Sequence, residues 1–186
     1  MKQEFNISLF SENHIGILSR ITLILTRRQI NIESITASES AVQGVQMLTM
    51  VVRTTPEMVL KVARQIEKVV DVLKVFVHTS PEIICQEMAL YKVTTRGLMS
   101  GSMAGDIVRK HNARILEVTP EYMVVEKTGT RTEIKELLSI LEPCGVLQFV
   151  SSGRIAVTRQ VKELTAYLRE MDEARRNRQE TPEYYN

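Results

Sequence analysis

Apolar and polar residues alternate near the start of the chain. Phe5, Ile7 and Leu9 are separated by Asn6 and Ser8, the period of a strand with one buried face. From about Ile15 to Arg28 the period lengthens, and Ile17, Leu18, Ile21 and Leu25 fall on one side of a helix. Asn31 to Ser38 returns to a strand, Ala41-Val42-Gln43-Gly44 turns the chain, and Val45 to Arg53 makes a third strand. Thr55-Pro56 then reads as a helix entry, because proline at the first helical position gives up a donor that would be unpaired anyway. Val59, Val62, Ala63 and Ile66 mark that helix's buried face, and the valine-dense run Val70 to Val77 is a fourth strand.

The second half repeats the order. Glu87 to Thr95 is a strand, Met103 to Lys110 a helix, and Arg114 to Val118 and Met123 to Glu126 two short strands joined by a turn at Pro120. Thr132 to Leu141 is a helix and Val146 to Val150 a strand. A shift of 74 residues lays Leu60, Ala63 and Ile66 over Ile134, Leu137 and Ile140, and Val72-Leu73-x-Val75 over Val146-Leu147-x-Phe149. An internal repeat of this kind is one structural unit used twice. The pattern predicts an α+β protein of two tandem ferredoxin-like βαββαβ domains, residues 1–79 and 80–159, followed by a C-terminal helix and frayed tail over 160–186. In that last stretch Val161, Leu164, Leu168 and Met171 form a narrow apolar stripe, suited either to packing back on its own domain or to docking on a partner.

Composition narrows the function. A net charge of +2 and an aromatic content of 5% without tryptophan argue against nucleic acid, and no run approaches a membrane span. The start carries no signal-peptide run, so a cytoplasmic protein with two free, buried thiols, Cys85 and Cys144, is expected. His14, His78 and His111 lack metal-ligand spacing, and no nucleophile pattern is evident, so neither a metal site nor a catalytic residue is assigned. The glycines of Arg96–Gly105 match no nucleotide fingerprint and read as a flexible strand-to-helix turn. Paired charges such as Glu133-x-Lys135-Glu136 read as solvated helix faces.

One segment carries recognisable chemistry. Asn13-His14-Ile15-Gly16 joins a strand to a helix, and a helix start offers unpaired N–H groups and positive potential to a carboxylate. Gly16 lets a ligand approach the backbone. Asn13 and Asn31 supply amides that both donate and accept, suiting a zwitterion, with Asn31 placed at the same edge as the turn. Ile15, Ile17, Leu18 and Ile32 wall an aliphatic side chain. The competing reading is that Asn13 caps the helix, Gly16 relieves a turn and His14 is simply solvated.

The run Phe5–Thr79 resembles an ACT domain, an amino-acid-sensing module. Ser11-Glu12-Asn13-x-x-Gly16-x-Leu18-Ser19-Arg20, Arg27-Arg28-x-x-Asn31-Ile32-Glu33-Ser34 and Val69-Val70-Asp71-Val72-Leu73-Lys74-Val75 resemble the regulatory small subunits of acetolactate synthase (acetohydroxyacid synthase). So do Glu87–Val93 and Gly145-Val146-x-x-Phe149-x-x-x-Gly153-Arg154-Ile155-Ala156-Val157. The resemblance implies a non-catalytic homodimer partnered with a catalytic large subunit. Thiamine diphosphate, magnesium and FAD are then expected on that partner only, and feedback inhibition by valine or a related branched-chain amino acid. It places the effector at Asn13, Gly16 and Asn31 with backbone from His14 to Leu18. The family's residues between Asn and Gly are usually acidic and then small or proline; here they are His14 and Ile15. A stand-alone tandem-ACT regulator of another enzyme or transcription factor is the alternative.

Overall fold

The computed structural model describes residues 1–99 and 104–159. The helix expected over Val161–Met171 and its tail lie outside them, as do Ser100–Met103 of the expected turn.

The first six elements are β1 (Gln3–Glu12), α1 (Ile17–Arg27), β2 (Ile32–Glu39), β3 (Val45–Thr54), α2 (Pro56–Ile66) and β4 (Val72–His78). They form an antiparallel-paired sheet in the order β2-β3-β1-β4. Its core joins Phe5, Ile7 and Leu9 to Ile17, Ile21 and Leu25 of α1 and Val59, Val62 and Ile66 of α2. Two sequence expectations change here. Leu18 lies 42% exposed, outside the buried stripe of α1. β1 is buried at every position from Phe5 to Ser11, not on one face only, so Asn6 and Ser8 are polar residues in an enclosed strand.

After a 3-10 turn at Ser80–Glu82 the order recurs: β5 (Ile83–Thr94), α3 (Thr95–Met99), α4 (Ala104–Lys110), β6 (Arg114–Val118), β7 (Tyr122–Gly129), α5 (Arg131–Leu141) and β8 (Val146–Ser151), then β9 (Ile155–Thr158). The second sheet runs β6-β7-β5-β8, with β9 pairing the start of β5. Two sequence expectations miss here. The glycine-containing turn begins as helix α3, and β9 is too short for periodicity to reveal. Tyr91 sits in this second core, its hydroxyl donating to Ile134 O (2.7 Å), and burial raises its pKa to about 12.

The repeat holds, with a slip of one residue between its parts. Val75 and Phe149 occupy matching places beside Leu9 and Tyr91, a spacing of 74. The helices match at 75 instead, because both begin at a threonine cap, Thr55 and Thr130. Val59, Val62 and Ile66 therefore correspond to Ile134, Leu137 and Leu141, while Leu60 is exposed.

Glu133 lies on an exposed helix face with Lys135 and Glu136, as expected, and there it also forms a capping box. Its carboxylate accepts from Thr130 N (2.7 Å) and Thr130 Oγ1 (2.8 Å), while Glu133 N donates to that hydroxyl. Thr130→Ala should lower stability by about 1 kcal/mol, read as a shift in the chemical-unfolding midpoint at unchanged slope.

Candidate functional site

Four residues reverse the chain between β1 and α1. His14 N donates to Glu12 O (3.0 Å) and Ile17 N to His14 O (3.3 Å), and Gly16 takes φ +88° and ψ −3°. That left-handed conformation costs a residue with a side chain roughly 1–2 kcal/mol, so glycine permits the reversal. A Cβ at Gly16 would meet nothing within 4 Å, and no side chain caps the helix. The cap position is Gly16, so Asn13 is not the helix cap. His14 O thus takes the Ile17 amide, while among the described residues no side chain caps the rest of the first turn of α1, where a helix start can hold an anion.

Around this turn Asn13, His14, Ile15 and Gly16 are exposed, Ile15 completely. Ile17 is 4% exposed and belongs to the core, so only its backbone reaches the turn. Leu18, being half out, keeps an apolar surface beside the helix start.

Two side chains that the sequence did not single out, Asp71 and Arg20, lock the turn together with His14. Glu12 N donates to Asp71 O (2.9 Å), His14 Nδ1 bonds Asp71 Oδ1 (3.0 Å), and Arg20 of α1 pairs with the other oxygen of Asp71. His14 is therefore exposed yet tethered. The hydrogen bond from His14 holds the Asp71 carboxyl below the usual carboxylate range; desolvation opposes it, and the charge of Arg20 adds to the lowering. Glu12, His14 and Asp71 bring possible metal-ligand atoms within 4.8 Å of one another. Arg20 already supplies positive charge to the same carboxylate. Spacing carried no sign of this group, because Asp71 comes from the approach to β4, and its one sequence signal was a lone acid inside a valine run.

A group whose pKa is lowered by folding contributes stability above its unfolded value and loses it as pH falls through the folded one. The Asp71 tether should thus be intact at neutral pH and begin to weaken only as pH falls below the ordinary aspartate pKa of about 4. Unfolding midpoints compared from pH 5 to pH 3 should fall less steeply for Asp71→Asn than for the unmodified protein.

The structure does not bring Asn31 and Ile32 to the turn within one chain. Ile32 pairs with Val52 of β3, and Val52 pairs with Phe5 of β1. Glu12, next to Asn13, lies seven residues further along β1, about 23 Å away at the usual strand rise. Among the described residues β2 is an edge strand, and an edge strand can pair with a further strand on its outer side.

Comparison with known proteins agrees with the motif series. A model of the AHAS small subunit-like ACT domain matches residues 7–74, and a model of the small subunit of acetolactate synthase matches residues 86–160. The acetolactate synthase small subunit of Bacillus subtilis is 34% identical over 158 residues, covering 84% of this chain and 91% of that protein. The chain belongs to the acetolactate synthase small-subunit family. A probable member from Methanothermobacter thermautotrophicus is 30% identical, with 82% of this chain and 91% of that protein aligned. The crystal structure of the family's small subunit from Thermotoga maritima superposes with a TM-score of 0.78 at 25% identity, over 86% of this chain and 99% of that one. The family's ACT-type α+β fold is the one expected from the sequence. Among the described residues, no helix is long and apolar enough to cross a membrane.

Proposed function

We propose that this chain is the regulatory subunit of a cytoplasmic acetolactate synthase. It binds and activates a thiamine-diphosphate-dependent large subunit, which condenses pyruvate with a second 2-oxo acid. It also makes that enzyme sensitive to valine or a related branched-chain amino acid. The chain itself contributes no bond-making group, and thiamine diphosphate, magnesium and FAD belong to the partner.

The observation that carries this reading is the position of Asn31 relative to the Gly16 turn. β2 runs parallel to β1, so Ile32 and Asn31 lie at the far end of the sheet from Asn13. If two chains pair antiparallel along β2 about a two-fold axis, each β2 start moves to the level of the partner's Asn13–Leu18 turn. A composite pocket results: helix-start amides and Asn13 from one chain, Asn31 and Ile32 from the other. The amides suit the effector's carboxylate, the asparagines its ammonium and carboxylate together, and Ile15, Leu18 and Ile32 its aliphatic side chain.

An effector held this way bridges two chains and favours one arrangement of their interface. A ~100-fold preference for that arrangement is worth about 2.7 kcal/mol and moves a balanced equilibrium almost wholly to one side. The test is reconstitution. The chain should co-purify with the large subunit and raise acetolactate formation, and valine, leucine or isoleucine should reverse that gain. Activity unchanged by the chain, or recovery of a repressor in place of a thiamine-dependent enzyme, would contradict the assignment.

A further inference from the structure

The two sheets meet at a buried arginine that the effector site does not use. Arg154, between β8 and β9, is 6% exposed. Its Nη1 donates to Glu4 Oε1 (2.6 Å) and Asn6 Oδ1 (3.2 Å) on β1, and its Nε donates to Glu87 Oε1 (3.3 Å) on β5. Its backbone N–H donates to Ser34 Oγ (3.0 Å) on β2. Gly153 brings this segment against β2, for a Cβ there would lie 2.2 Å from Thr36 Oγ1 and 2.8 Å from Ile35 O. Arg131, the first residue of α5, pairs with Glu33 (3.1 Å).

Glu33, Ser34, Ile35 and Thr36 thus touch the second half of the chain, and they directly follow Asn31 and Ile32. Backbone pairing holds β2 to β3 on one side only, so these contacts help fix where its first residues lie. The seam is also imperfectly satisfied. Asn6 Nδ2 and Thr36 Oγ1 are buried without a partner among the described residues, and buried polar groups of this kind call for an explanation.

We propose that Arg154, seated by Gly153 and assisted by Arg131, is the positioning clamp that carries the effector response from the start of β2 into the second domain. This rests on the reading that Asn31 and Ile32 contact the effector. An effector that fixes Asn31 fixes Glu33 and Ser34 two and three residues on, and through them Arg131 and Arg154. Only the opening of β2 separates the two, and its pairing with β3 shifts register between Ile32 and Ser34.

The test separates binding from response. Valine binding to the chain is measured by calorimetry, and valine inhibition is measured on the enzyme reconstituted with its large subunit. Arg154→Met should keep valine affinity within roughly twofold while raising the half-inhibitory concentration roughly tenfold, a split equivalent to about 1.4 kcal/mol of coupling. Arg131→Gln, at a more exposed site that leaves fewer buried charges, should show the same split at roughly threefold. It decides the matter should Arg154→Met fail to fold. Affinity and inhibition shifting together, or neither shifting, would overturn the clamp. An unmodified chain that neither binds nor responds to a branched-chain amino acid would overturn the effector reading itself, and the clamp with it.

Discussion

Gly16→Asp should raise the valine concentration that inhibits the reconstituted enzyme roughly 30-fold while leaving activation by the chain intact. The new carboxylate would stand at the start of α1, where the effector's own carboxylate is expected. Two such charges about 4 Å apart repel by about 4 kcal/mol at an effective dielectric near 20. Screening at this exposed turn reduces that to about 2 kcal/mol, which is roughly a 30-fold rise in half-inhibitory concentration. The fold should accept the change, because a Cβ at this position meets nothing within 4 Å and aspartate visits the left-handed region more readily than most residues. Gly16→Ala carries the same backbone strain without the charge and should shift inhibition only several-fold. Retention of ordinary valine inhibition by Gly16→Asp would remove the turn from the site.

Mixed dimers of Gly16→Asp and Asn31→Ala chains should regain the valine inhibition that each variant weakens on its own. In a pocket shared between chains, each homodimer carries one lesion in both of its sites. The mixed dimer gathers both lesions into one pocket and leaves the other intact. If one chain supplied both residues, every pocket of the mixed dimer would keep a lesion and no rescue would occur. Within one chain, about 23 Å along the sheet separates Ile32, next to Asn31, from the level of Glu12, where the turn to Gly16 begins, so rescue is the expected result. Co-expressing the variants under two affinity tags, isolating the doubly tagged species and titrating it with valine distinguishes the cases. Inhibition should return at close to the unmodified concentration and reach about half its full extent if the two pockets act independently.

Local pattern made much of the molecule legible. Thr55-Pro56 opened α2 as expected, with Thr55 Oγ1 accepting from Met58 N (3.3 Å). The predicted face of that helix (Val59, Val62, Ala63 and Ile66) is the buried one. The ordered series of motifs sufficed to identify the family. Cys85 and Cys144 are free, though half-buried rather than buried. The α2 entry and its buried face depend on residues within a turn or two of one another, a range over which side-chain period and capping chemistry act directly.

What required the three-dimensional structure was every relation between distant segments. The chain order alone determined that a glycine would open a helix start beside an asparagine. It could not show that Asp71, from the approach to β4, would tether that turn through His14 and Arg20. It placed Asn31 beside the turn, whereas β2–β3–β1 pairing sends it to the opposite end of the sheet. It read Asn6 as the solvent side of a half-buried strand, whereas Arg154, about 150 positions later, closes over it. The reason is common to all three. Periodicity reports that a residue has a buried side, but strand register and the meeting of remote segments decide what lies against it, and those are set by the packing of the whole chain.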